Sequence, residues 1–187
     1  MTENEINNFH EKQSELILSV RKAFDLETDR GVCIMASDLL DNLLKELLNL
    51  KLLGSNNLKK DLFDYSGPLG TFSSRQKLAF SIGLIHRETF DDLEIIRNVR
   101  NKFSHSHLHM DFNTEKVRNE IKRMVSNIHN VETAEPRNIF TNTVIGVAVA
   151  IYGSQLLAEK FKSIERPDFL DGDFKQEVKQ NSNNYYK

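Results

Sequence analysis

The sequence predicts an all-α protein: a single-domain helical bundle over residues 1–165, followed by a polar, loosely ordered tail over 166–187. Three observations predict it. Gly and Pro number only 8 and 3 among 187 residues, too few to punctuate an all-β domain. Apolar residues recur at three- and four-residue steps over long stretches without a breaker. The hydrophobic fraction of 39% and charged fraction of 28% are those of an ordinary globular chain, and the length supports one core.

The elements follow in order. Ile6, Phe9, Leu16, Val20 and Phe24 form a one-sided stripe, so a first helix is expected over about 4–24. A second, over about 29–53, carries Val32, Met35, Ala36, Leu39, Leu40, Leu43, Leu44, Leu47, Leu48 and Leu50. Leucine that dense suits a central helix or a dimer interface, and Gly54 is placed to cap its end. A short helix is expected over 58–63. Ser66-Gly-Pro-Leu-Gly70 is the clearest turn. Thr71 or Ser73 then caps a helix over about 74–84, with Gly83 near its end. Phe90, Leu93, Ile95, Ile96, Val99 and Phe103 set the next helix over about 88–103. Another starts at Asn113 or Thr114 and reaches about Ile128. Pro136 opens a last long helix, to about 163.

Charge and cysteine usage narrow the function classes. The net charge is -2, so any nucleic-acid surface has to be local. The lone Cys33, set among Val32, Ile34 and Met35, reads as a small core residue in a reducing compartment. The acidic, polar N-terminus is no secretory signal. The apolar run Val144–Tyr152 is about half the roughly 20 residues of a spanning helix. A cytoplasmic location with no membrane contact is expected.

Chemistry concentrates between Arg97 and His109. On a helix, Arg97, Asn101, Ser104 and His105 share one side, with Arg100 at its border. Histidine moves protons near neutral pH, and arginine grips phosphate oxygens bidentately. With the 2′-hydroxyl of RNA as nucleophile, these groups suit metal-free cleavage of RNA. Over 95–123 the charge is +4, from Arg97, Arg100, Lys102, Lys116, Arg118, Lys122 and Arg123 less Asp111, Glu115 and Glu120. A solvated basic helix end accounts for Arg97, Arg100 and Lys102 with no function at all. His105, His107 and His109 alternate in a way that could ligate a metal, but no Cys or carboxylate set completes a site. No metal and no cofactor are expected, and His107 and His109 are read as contacts to phosphate or solvent. Arg75 and Lys77 would extend the basic surface if the fold brings them near Arg100. Asp38, Asp41 and Glu46 either pair with such arginines or face water.

Two family resemblances add to this. Arg100-Asn-Lys-Phe-Ser-His105 resembles the R-x4-6-H signature of HEPN domains, helical bundles that are usually dimeric. That resemblance implies a composite endoribonuclease site, with Arg100 and His105 catalytic and Arg97, Asn101, Lys102, Ser104 and His107 supporting or binding RNA. Over about 30–110, Ser66-Gly-Pro-Leu-Gly70, Leu78, Gly83-Leu84-Ile85 and Asp91-Asp92-Leu93 resemble the mannitol operon repressor (MtlR/MltR) family, which implies transcriptional regulation. No helix-turn-helix with a basic recognition helix is visible, so that role points to a protein partner. The expectations are therefore a HEPN-type, metal-independent endoribonuclease, a homodimeric toxin, stress or defence effector with a protein regulator or antitoxin, and, as the alternative, a non-catalytic MtlR-like regulator.

Overall fold

The structure is a computed structural model and describes residues 3–107, 109–126 and 133–160, with Gln176. The expected tail over 166–187, apart from Gln176, lies outside the described residues, as do Ile128 and His129. Seven helices are described: α1 (Glu3–Asp25), α2 (Asp29–Lys51), α3 (Asn56–Phe63), α4 (Phe72–Ser81), α5 (Arg87–His105), α6 (Glu115–Ile121) and α7 (Pro136–Lys160). No strand occurs among the described residues. The all-α expectation is met.

Helix starts follow their caps. The Thr28 hydroxyl accepts Gly31 N–H at 3.1 Å to open α2, and the Ser55 hydroxyl accepts Leu58 N–H at 3.2 Å to open α3. Thr71 and Ser74 satisfy one another's backbone N–H groups at 3.1 and 3.2 Å, a capping box that begins α4 two residues earlier than expected. Helix ends diverge more. Gly83, at φ +74°, closes α4: its N–H bonds to Phe80 O, and Leu84 N–H bonds to Ala79 O. Gly54 does not cap α2. The helix stops at Lys51, Leu52 turns extended, and Gly54 (φ +113°) serves the connection to α3. Helix α6 ends at Ile121, because the Asp92 carboxylate draws the N–H groups of Val125 and Ser126 at 2.7 and 2.9 Å.

Helix α2 is the centre. It packs on α7, α5 and α4, while α1 lies mainly on α7, and α6 closes over α5 and α7. Val32, Ala36, Leu40, Leu44, Leu47 and Leu48 are fully buried there. Burying one such side chain contributes about 1.5–3 kcal/mol, so this face dominates the stability. Phe103, Phe112 and Phe140 form a ring cluster, with centroids 5.6 Å apart edge to face for the first pair and 4.9 Å apart tilted for the second. Helix α7 is long and apolar enough to cross a membrane by length and composition, yet half of that stretch is buried in the protein. It packs on α2, α1, α5 and α6, as a core helix does.

Polar clamps hold the ends of the bundle. Arg137 pairs with Asp29 and donates to Phe24 O at 2.8 Å and Glu27 O at 2.6 Å, while Asp29 accepts Phe112 N–H at 2.8 Å. One guanidinium thus ties α1, α2 and α7 together. The turn before α4 is compact: a Cβ on Gly67 would sit 2.2 Å from Asp61 O, and one on Gly70 would sit 2.4 Å from Asp64 O. Only glycine fits there.

Candidate functional site

The segment singled out by its residue types forms the last two turns of α5 and the chain that follows. Phe103 is buried and fixes the helix end, so its neighbours face outward. Arg100, Ser104, His105 and His107 are exposed, and Arg97, Asn101 and Lys102 are half-buried. The Arg100 guanidinium donates to Asn101 Oδ1 at 3.2 Å. Arg30 of α2 reaches across to donate to Ser106 O at 3.0 Å, which joins the start of α2 to the end of α5.

Two of the expected supporting cations are engaged within the fold. Arg97 pairs with Glu94 at 2.7 Å, and Lys102 pairs with Glu120 of α6 at 3.4 Å. Glu120 also holds Arg123 at 3.0 Å. Three of the seven basic residues over 95–123 thus meet carboxylates of the fold. Arg75 leaves the surface altogether. Its Nε and Nη2 each meet an Asp41 carboxylate oxygen at 2.6 Å, and its Nη1 donates to Leu69 O at 2.6 Å. The reading of Arg75 as an extension of the basic surface toward Arg100 is corrected by this buried pairing. Of Asp38, Asp41 and Glu46 on α2, only Asp41 takes an arginine this way, while Asp38 and Glu46 stay exposed.

Arg100 and His105 are five residues apart on one helix, so they are separated by about 140° around its axis. A single chain therefore does not aim both at one phosphate. A composite site would need the second member of the pair from another protomer.

The remaining chemistry is quiet. Cys33 is fully buried, and burial pushes its thiol far above the ordinary range, with the nearby Asp29 charge acting in the same direction. It is not a nucleophile at neutral pH. The Thr114 hydroxyl and N–H hold the Asp111 carboxyl below its usual range, with neighbouring His109 a minor contributor. Among the described residues no group of three or more His, Cys, Asp or Glu is arranged to hold a metal ion.

Comparison with known proteins bears on the two resemblances unequally. A family model described as mannitol repressor matches residues 21–147, more than half of the chain and all of α2 to α6. No curated protein matches. Among solved structures, a chain in the X-ray structure of the MtlR–HPr complex from Escherichia coli matches with a TM-score of 0.52 and 19% identity. The match covers 75% of this chain and 98% of that one, and it is a likeness of fold. The HEPN resemblance stays confined to the six residues Arg100–His105.

Proposed function

Because this chain belongs to the mannitol repressor family, we propose that it is a non-catalytic regulator of transcription that acts by docking onto a protein partner in the cytoplasm. The family match over residues 21–147 carries the reading. The fold supports it, since the solved chain it resembles comes from a complex with a protein, HPr. Part of the basic surface is also withdrawn: Arg75 is buried on Asp41, and Arg97, Lys102 and Arg123 meet carboxylates rather than standing free for a polyanion. On this reading Arg100, Asn101, Ser104, His105 and His107 are surface residues around a helix end, and Arg97 and Lys102 serve the fold.

The test has two arms. Calorimetric titration of the purified chain with HPr should give saturable binding. Incubation with a mixed RNA pool in EDTA should leave the RNA intact. RNA cleavage abolished by His105→Ala, with no heat on titration with HPr, overturns the proposal in favour of the nuclease.

A further inference from the structure

The face of α2 turned away from α4, α5 and α7 is only partly covered. Two cavities lie along it. The first, about 430 Å³, is lined by Val20, Ala23 and Phe24 of α1 and by Met35, Leu39 and Leu43 of α2, with Asp38 at its edge. The second, about 680 Å³, lies between α2 and α3 and is lined by Lys45, Asn49, Asn56, Lys59, Lys60 and Phe63, with Asp64 at its rim. Both include Asn42 and Glu46, so they are two halves of one groove. Met35, Leu39, Asn42, Glu46 and Asn49 recur at three- and four-residue steps, so the groove follows one stripe of α2. From Met35 to Asn49 it is about 21 Å long, roughly four helical turns.

The halves differ in chemistry. The α1 half is apolar, and Val20, Met35 and Leu39 are half-exposed within it. The α3 half gathers three ammonium groups. Lys59 donates to Asn49 O at 2.8 Å, Lys45 stands 5.9 Å from the centre of the Phe63 ring, and Lys60 is exposed. Against these stand Asp64 and the shared Glu46, the latter also accepting Gln155 Nε2 at 3.4 Å. A binding partner therefore needs an apolar stripe at one end and carboxylates at the other.

We propose that this groove docks an amphipathic helix of a partner protein, about four turns long, whose apolar side lies on Val20, Met35 and Leu39 and whose acidic end meets Lys45 and Lys60. Helix-in-groove recognition uses this spacing, with anchors at i, i+3/i+4 and i+7. The apolar contacts supply affinity, and the lysines fix the direction in which the helix lies. The inference rests on the reading that the chain acts through a protein partner.

The test uses fluorescence anisotropy on the full chain, with a labelled 15-residue helical peptide that has a leucine stripe and glutamates at one end. Wild type should bind it, and binding should weaken as salt rises. Leu39→Asp in the apolar half, and the double variant Lys45→Glu/Lys60→Glu in the basic half, should each weaken it tenfold or more. Lys45 and Lys60 are exposed, so the double variant keeps the test decisive if Leu39→Asp loses the fold. Equal binding of a peptide ending in lysines, no peptide binding, or binding unchanged in the double variant overturns the groove. Titrating HPr into the same proteins separates the two readings. HPr binding equally to wild type and both variants removes the groove but keeps the protein-partner function. Groove-dependent peptide binding without HPr binding keeps the groove and moves the partner elsewhere.

Discussion

Replacing Arg75 by methionine removes a guanidinium while keeping most of its apolar stem. In the native protein that guanidinium holds the Asp41 carboxylate at two points and the Leu69 carbonyl at a third, all at 2.6 Å. Its side chain is 9% exposed, and that of Asp41 is 26% exposed. Deleting one partner of a buried ion pair costs about 3–5 kcal/mol, because the other charge is left without compensation. Here water reaches part of Asp41, so about 2 kcal/mol is expected from the pair. Loss of the donor to the buried Leu69 carbonyl adds about 1 kcal/mol. The total of about 3 kcal/mol should lower Tm by roughly 6–12 °C in a chain of this size. Urea unfolding followed by far-UV circular dichroism measures it. The double variant Arg75→Met/Asp41→Leu should lose clearly less than the sum of the single variants, since it removes the stranded charge as well as the pair. An Arg75→Met midpoint indistinguishable from wild type, or strict additivity in the double variant, refutes the reasoning.

Three more outcomes follow from the packing. Gly67→Ala forces a Cβ onto backbone oxygens and should cost about 1–3 kcal/mol; Gly146→Ala meets nothing within 4 Å and should gain up to about 1 kcal/mol from helix propensity, so melts of the pair should move in opposite directions. Phe112→Ala removes the middle ring of the Phe103–Phe112–Phe140 cluster and should cost about 3–5 kcal/mol in urea unfolding. Cys33 should resist a maleimide in the native protein and react readily in denaturant. Folding raises its pKa, so the unfolded thiol ionises first, and stability should decline as pH climbs past about 8.5.

Much of the fold was legible from local chemistry. Periodicity located the helices, Thr71 was one of the two caps offered for α4, and the close-packed glycines of the 66–70 turn were visible as a breaker cluster. What failed depended on distant partners. The end of α6 is set by Asp92, some 33 residues earlier, and nothing in the local pattern around Val125 reveals that acceptor. Arg75 was open between a surface cation and a partner for an α2 carboxylate, and the choice of Asp41, 34 residues away, emerges only in the fold. The groove was hidden for a related reason. Its residues alternate between apolar and charged along α2, and only the placement of α1 and α3 distinguishes a groove from a solvated face. The charged segment at the end of α5 showed the converse. Its residue types were plain in the sequence, but the pairing of Arg97 with Glu94 and Lys102 with Glu120 emerges only in three dimensions.

The pairing of α2 with α7 shapes how the chain comes into being. The Leu43 carbonyl waits for the amide of Gln155, which is 112 residues later in the chain. At a synthesis rate of about 5–20 residues per second, the leucine-rich face of α2 leaves the ribosome roughly 5–20 s before its main cover exists. During that interval the same stripe is an open hydrophobic surface, sheltered only by α4 and α5 as they arrive. Truncations that stop short of α7 should accordingly be clients of chaperones and prone to aggregate, whereas release of α7 should switch the nascent chain to a soluble, protease-resistant state.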